Sequence, residues 1–132
     1  MSRSAIFTAN TTPQVLLADS VISFGNVVRR FGCNCSLNGN AIMLNGTGYY
    51  DVDINVVVNG SAAGTAEIVL LKDGVEIPGA TASTATSTTS INTVSVSALV
   101  RELCCEGGST LTLELRGTGA TIANVSAVVE KL

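Results

Sequence analysis

The chain contains no histidine. Activation of serine or cysteine by an imidazole base is therefore excluded, and so are most zinc enzymes. The most distinctive chemical groups are four cysteines, Cys33, Cys35, Cys104 and Cys105. Cys33 and Cys35 are two apart and share a face if their segment is a strand, whereas Cys104 and Cys105 are adjacent and point oppositely. Three states stay open for them. They are structural thiols, or a disulfide joins Cys33 or Cys35 to Cys104 or Cys105, or the four hold zinc. The zinc reading is the weakest, because Cys-x-Cys plus Cys-Cys lacks the usual knuckle spacing.

Asp51 and Asp53 lie two apart and present two carboxylates on one side of a strand. Such a pair can serve acid–base chemistry or bind calcium. No third ligand is near in sequence, so the plainer reading is a polar sheet face or a polar patch at a subunit contact. Tyr49 and Tyr50 must point to opposite faces. One belongs in the core, and the other lies outside it, where a subunit interface is the natural use of a tyrosine. Arg29-Arg30 is the only adjacent basic pair. It docks an acidic partner, or it is solvated or tied to Glu67, Glu114 or Glu130. No glycine-rich phosphate loop precedes a helical pattern. No cofactor is expected.

The elements that must position these residues are strands. The chain has 132 residues, enough for one domain spanning 1–132. Charged residues make up 13% against about 25% in ordinary domains. So few charges leave a monomer short of charged cover; burial between subunits resolves that shortage, and the alternative is a soluble surface rich in Ser, Thr, Asn and Gly. Seven Lys and Arg at a net charge of −3 make no basic stripe, so nucleic acid is not an expected partner. No apolar run approaches the ~18 residues of a membrane span. Met1 to Thr8 has neither an apolar h-region nor a small-residue cleavage site, so it reads as the start of a complete small protein made in a cytoplasm. Disulfides are not the default there. Five Asn-x-Ser/Thr sequons, at Asn10, Asn34, Asn45, Asn59 and Asn124, then read as accidents of composition.

The clearest strand is Gly48 to Val58, where Tyr50, Val52, Ile54, Val56 and Val58 alternate with Tyr49, Asp51, Asp53 and Asn55. Asp73-Gly74 between Leu71 and Val75 signals a hairpin with a type I′ turn, and Pro78 marks an edge or a bulge in the return strand Val75 to Ala82. Leu111, Leu113 and Leu115 alternate with threonine and charge, as do Val94, Val96, Ala98 and Val100 with threonine and serine. Further strands are read at Ser4 to Ala9, Gln14 to Ala18, Val21 to Phe31, Ala41 to Leu44, Gly64 to Lys72 and Thr121 to Glu130. Gly32 to Asn40 reads as turn-rich, and Ala82 to Ser90 as an exposed loop. About ten short strands with turns every 8–12 residues predict an all-β sandwich, barrel or jelly roll.

The run Gly48-Tyr49-Tyr50-Asp51-Val52-Asp53-Ile54-Asn55-Val56-Val57-Val58 resembles the Gly-x-Tyr-x-(apolar) strand of the tumour necrosis factor and complement-like globular heads. The hairpin at Leu71 to Val75, the run Leu111 to Leu115 and the closing Val128 to Leu132 are similar too. The likeness extends to small virion proteins and fibre heads of phages and bacteria. It implies a jelly-roll sandwich of about ten antiparallel strands that forms a homotrimer. Tyr49, Val57 and other aliphatic side chains would pack the trimer axis. It further implies a non-enzymatic knob docked on a larger virion or surface assembly, such as a capsid decoration or head-fibre protein of a bacteriophage. The alternative is a receptor- or carbohydrate-binding head. The implied location is the virion, or else a bacterial surface. A membrane is not an expected partner.

Overall fold

A computed structural model describes residues 4–102 and 108–132. Among the described residues, twelve strands form two antiparallel sheets: β1 Ala5–Asn10, β2 Gln14–Leu16, β3 Ser20–Ile22, β4 Asn26–Phe31, β5 Cys35–Asn38, β6 Ala41–Leu44, β7 Gly48–Gly60, β8 Gly64–Lys72, β9 Val75–Thr86, β10 Ile91–Glu102, β11 Ser109–Gly117 and β12 Ala120–Lys131. The first sheet runs β10-β7-β12-β1-β4, with β2 also on β12. The second runs β5-β6-β11-β8-β9, with β3 also on β11. Successive strands repeatedly cross between the sheets, which gives the jelly-roll sandwich. None of the described residues forms a helix long and apolar enough to cross a membrane.

Period-two alternation decides which side chains fill the sandwich. Val52, Ile54, Val56 and Val58 of β7 and Val125, Ala127 and Val129 of β12 point inward from the first sheet. They meet Ile68 and Leu70 of β8 and Leu111, Leu113 and Leu115 of β11 from the second. Each is essentially solvent-free, so each valine or leucine contributes roughly 1.5–3 kcal/mol of burial before entropy is counted. Of the tyrosine pair, Tyr50 is the core residue. Its hydroxyl lies 3.0 Å from the Asn45 carbonyl and 2.8 Å from the Gly46 carbonyl, to which it donates.

Turn chemistry agrees with the local sequence. Asp73 and Gly74 both have positive φ, 52° and 81°, as a type I′ hairpin requires. Gly25 divides the segment that reads as one strand, Val21 to Phe31, into β3 and β4. Its φ is 85°, and a Cβ there would lie 2.3 Å from the Ala9 carbonyl oxygen. The chain thereby passes from the second sheet to the first within a few residues.

Two segments differ from their sequence reading. Cys35–Asn38, inside the turn-rich stretch, is strand β5, paired with β6. It is an edge strand, where polar residues cost little. β9 continues through Ser83 to Thr86, in register with Glu67 to Gly64, where the composition suggests a loop. Threonine tolerates extended backbone, and an edge strand needs no apolar stripe. Pro78 does mark a bulge. Val69 pairs with Thr81 and Leu71 with Glu76, so four residues of β9, Ile77 to Ala80, face the single residue Leu70.

Candidate functional site

Among the described residues, those that sequence alone offers for chemistry do not assemble a reactive centre. Cys33 is exposed and Cys35 buried, both as free thiols. Cys104 and Cys105 lie outside the described residues. Burial pushes the Cys35 thiol up to about 11, outweighing the Arg30 and Lys131 charges that lower it. A thiol so shifted holds almost no thiolate at neutral pH and is a poor nucleophile. Burial likewise pushes the Tyr50 phenol up to about 12, with Cys35 and Glu102 adding to the shift. Glu102 is a buried carboxylate at the same end of the sandwich, with the Lys72 ammonium 4.0 Å away. Among the described residues no group of three or more cysteines and carboxylates is placed to hold a metal ion.

The distinctive surface is the outer face of the first sheet. Register fixes its layout in rows that run across β10, β7, β12, β1 and β4. One row is Leu99, Asp51, Glu130, Ala5 and Phe31. The next is Ser97, Asp53, Val128, Phe7 and Arg29. Tyr49 pairs with Arg101 beyond the first of these, and Val57 lies between Thr93 and Asn124 toward the other end. Tyr49 is 47% exposed, Leu99 61% and Phe31 57%. Ile91, Val128 and Phe7 add further exposed apolar surface. Val57 is half-buried. The Arg101 guanidinium stands 6.0 Å from the centre of the Tyr49 ring, within cation–π range.

Charge on this face is segregated. Asp51 and Glu130 are register partners, a like-charge pairing that disfavours an isolated sheet. Asp53 adds a third carboxylate two residues along β7. Among the described residues none of the three forms an ion pair. At the β4 side, Ala5, Ile6, Phe7, Arg29, Phe31 and Val128 line a shallow apolar hollow of about 120 Å³. A register shift between Phe7 and Thr8 leaves Val28 unpaired and bends β4 at this point. Arg29 and Arg30 diverge in use. The Arg30 guanidinium donates to the Cys35 carbonyl at 2.6 Å, while Arg29 sits at the hollow.

The outer face of the second sheet is different. Val69 and Leu71 point outward from β8, yet they are 0% and 6% exposed. Glu114 and Thr81 flank Val69, and Thr112 and Glu76 flank Leu71. The Arg116 guanidinium ties Glu114, at 3.0 Å, to Glu76 across that span. Hydrogen bonding to Glu114 raises the guanidinium pKa further.

The alternation sets Tyr49, Asp51 and Asp53 on one side of β7, and the structure puts them, together with Val57, on the outer face of the first sheet. Sequence reasoning did not foresee the hollow, whose lining comes from β1, β4 and β12.

No protein-family profile matches the sequence, and no curated protein sequence is significantly similar to it. Solved structures are similar in fold. The PRD1 vertex protein P5 superposes with a TM-score of 0.69 at 16% identity, covering 98% of this chain and 96% of that one. The globular domain of zebrafish complement 1qA protein gives 0.69 at 12% identity, over 97% and 94%. The Eiger TNF of S. frugiperda gives 0.71 at 15% identity, over 98% and 91%. These identities speak for the fold alone: over essentially its full length the chain shares the jelly-roll fold of these proteins.

Proposed function

We propose that the protein is a non-enzymatic structural or binding head that works as a homotrimer, with the outer face of the first sheet, including Tyr49 and Val57, as its subunit interface. The observation that carries this reading is the concentration of exposed apolar side chains on that face, beside carboxylates that lack cationic partners. A stable, free-standing surface seldom combines the two, while an oligomer interface needs the first and can neutralise the second. The 13% charge content supports the same reading.

The setting that fits best is a virion. A phage vertex protein is among the structures similar in fold, and the chain is small and sparsely charged. In this reading the trimer is a capsid decoration or head-fibre knob of a bacteriophage, held by a larger assembly, with no cofactor, nucleic acid or membrane as partner. The alternative, a receptor- or carbohydrate-binding head, has the exposed Tyr49 and Phe31 in its favour, since aromatic side chains serve as anchors in binding sites.

Light scattering of the native protein tests the core of the reading. A trimer has a mass near 40.2 kDa, three times 13.4 kDa. A monomer mass at micromolar concentration would sink it. Mass spectrometry of particles from the source that carries the gene tests the setting, which fails if the protein is missing from them.

A further inference from the structure

We infer that the trimer is assembled head to tail along one row of the first sheet, with Leu99 of one copy seated in the Phe7–Phe31–Val128 hollow of the next. This inference rests on the trimer reading above. Its starting point is that one row carries a projection at one end and a recess at the other. Leu99 on β10 and Phe31 on β4 occupy the two ends of the row Leu99, Asp51, Glu130, Ala5, Phe31. Four strand spacings separate them, roughly 19 Å. Leu99 cannot reach the hollow of its own chain.

Shape and chemistry match. Leu99 is an apolar side chain standing clear of the polar neighbours Ser97 and Asp51. The hollow has an apolar lining with one charged side chain, Arg29. Its volume of about 120 Å³ suits a four-carbon side chain, given that a cavity of about 150 Å³ admits benzene. Directly paired residues have Cβ atoms about 5 Å apart. Seating Leu99 therefore carries Asp51 of the same copy to the rim of the hollow. There we pair it with Arg29, the one charged side chain of the lining, as the cation that the Asp51–Glu130 pairing lacks.

Projection and recess at opposite ends of one row do not by themselves set the symmetry, because a reciprocal twofold pair also seats each Leu99 in the other's hollow; the mass of the assembly decides between pair and ring. A contact between two different patches repeats from copy to copy and closes into a ring when the rotation permits. A threefold ring satisfies every Leu99 and every hollow.

The test places a benzophenone amino acid at position 99 of the full chain. Irradiation is followed by trypsin and mass spectrometry. The expected adduct joins position 99 of one chain to residues 4–29 or 31–72 of another, at Phe7 or Phe31. Adducts to β10 of a second copy, or an absence of interchain adducts in a protein of trimer mass, would overturn the inference. Charge exchange gives an independent readout by native mass. Leu99→Arg and Asp51→Arg should each raise the concentration at which the trimer dissociates at least about tenfold. Adding Arg29→Asp to Asp51→Arg should restore it. A trimer unaffected by Leu99→Arg rejects this register and leaves the trimer reading standing. A wild-type monomer rejects both, and circular dichroism of each variant guards against misfolding.

Discussion

On the outer face of the second sheet, Arg116 reaches over Val69 and Leu71 and joins Glu114 to Glu76. On the outer face of the first, Leu99, Phe31 and Tyr49 stand in solvent, and Asp51 faces Glu130 with no arginine between them. Both faces belong to twisted antiparallel sheets built on the same alternation. The difference is that the second sheet covers Val69 and Leu71 with its own charges, leaving Val21 beside Glu114 44% exposed, while the first leaves a broader apolar set in solvent. Charge placement, and not only the amount of apolar sequence, sets the two faces apart.

Breaking the contrast is most direct at Tyr49. On the proposed trimer reading, Tyr49→Lys should give a monomer, a threefold fall in mass by light scattering, with the far-ultraviolet dichroism unchanged. Retention of trimer mass would show that the interface lies elsewhere. Leu71→Ala should act on the fold instead, costing about 2–3 kcal/mol in urea unfolding. In a monomeric Tyr49→Lys background, Leu99→Ala should cost less than about 0.5 kcal/mol. Equal costs at the two positions would erase the distinction between the faces.

A pH titration separates the closed interior from both faces. The Tyr50 phenol titrates near 12 when folded against about 10 when unfolded. Its contribution to stability is therefore complete below pH 10 and is lost as pH rises through 12. In a Tyr49→Phe variant, phenolate absorbance should show a midpoint near 12 that drops to about 10 in denaturant. A native midpoint near 10 would contradict the buried placement of Tyr50. The smallest effect is expected at Arg116. Arg116→Ala should lower the melting temperature slightly, and salt near 1 M should shrink the difference, since exposed ion pairs are screened.

The long strands were legible in the sequence because one side of each is apolar. In β7 and β11 the alternation alone identified the apolar side of each strand, and it set Tyr49 and Tyr50 on opposite faces, of which the structure buries Tyr50. The Asp73-Gly74 hairpin was legible from backbone chemistry. β5 and the far half of β9 were not, because edge strands carry no strong apolar stripe, and polar composition there looks like a loop. At the candidate site, Tyr49 and Val57 could be assigned to a face, since a face is a local property of one strand. The hollow could not be found, because it depends on register between strands more than a hundred residues apart, such as Phe7 opposite Val128.

The swelling of β9 at Ile77 to Ala80 has a consequence for solubility. β9 is the free edge of the second sheet, and a long, sparsely charged edge of this kind can template a neighbouring chain into amyloid-like stacking. Pro78 offers no amide hydrogen to an incoming strand, and the bulge interrupts the flat run that stacking requires. The protein thus carries a gatekeeper against fibrils on the sheet that has no assigned partner.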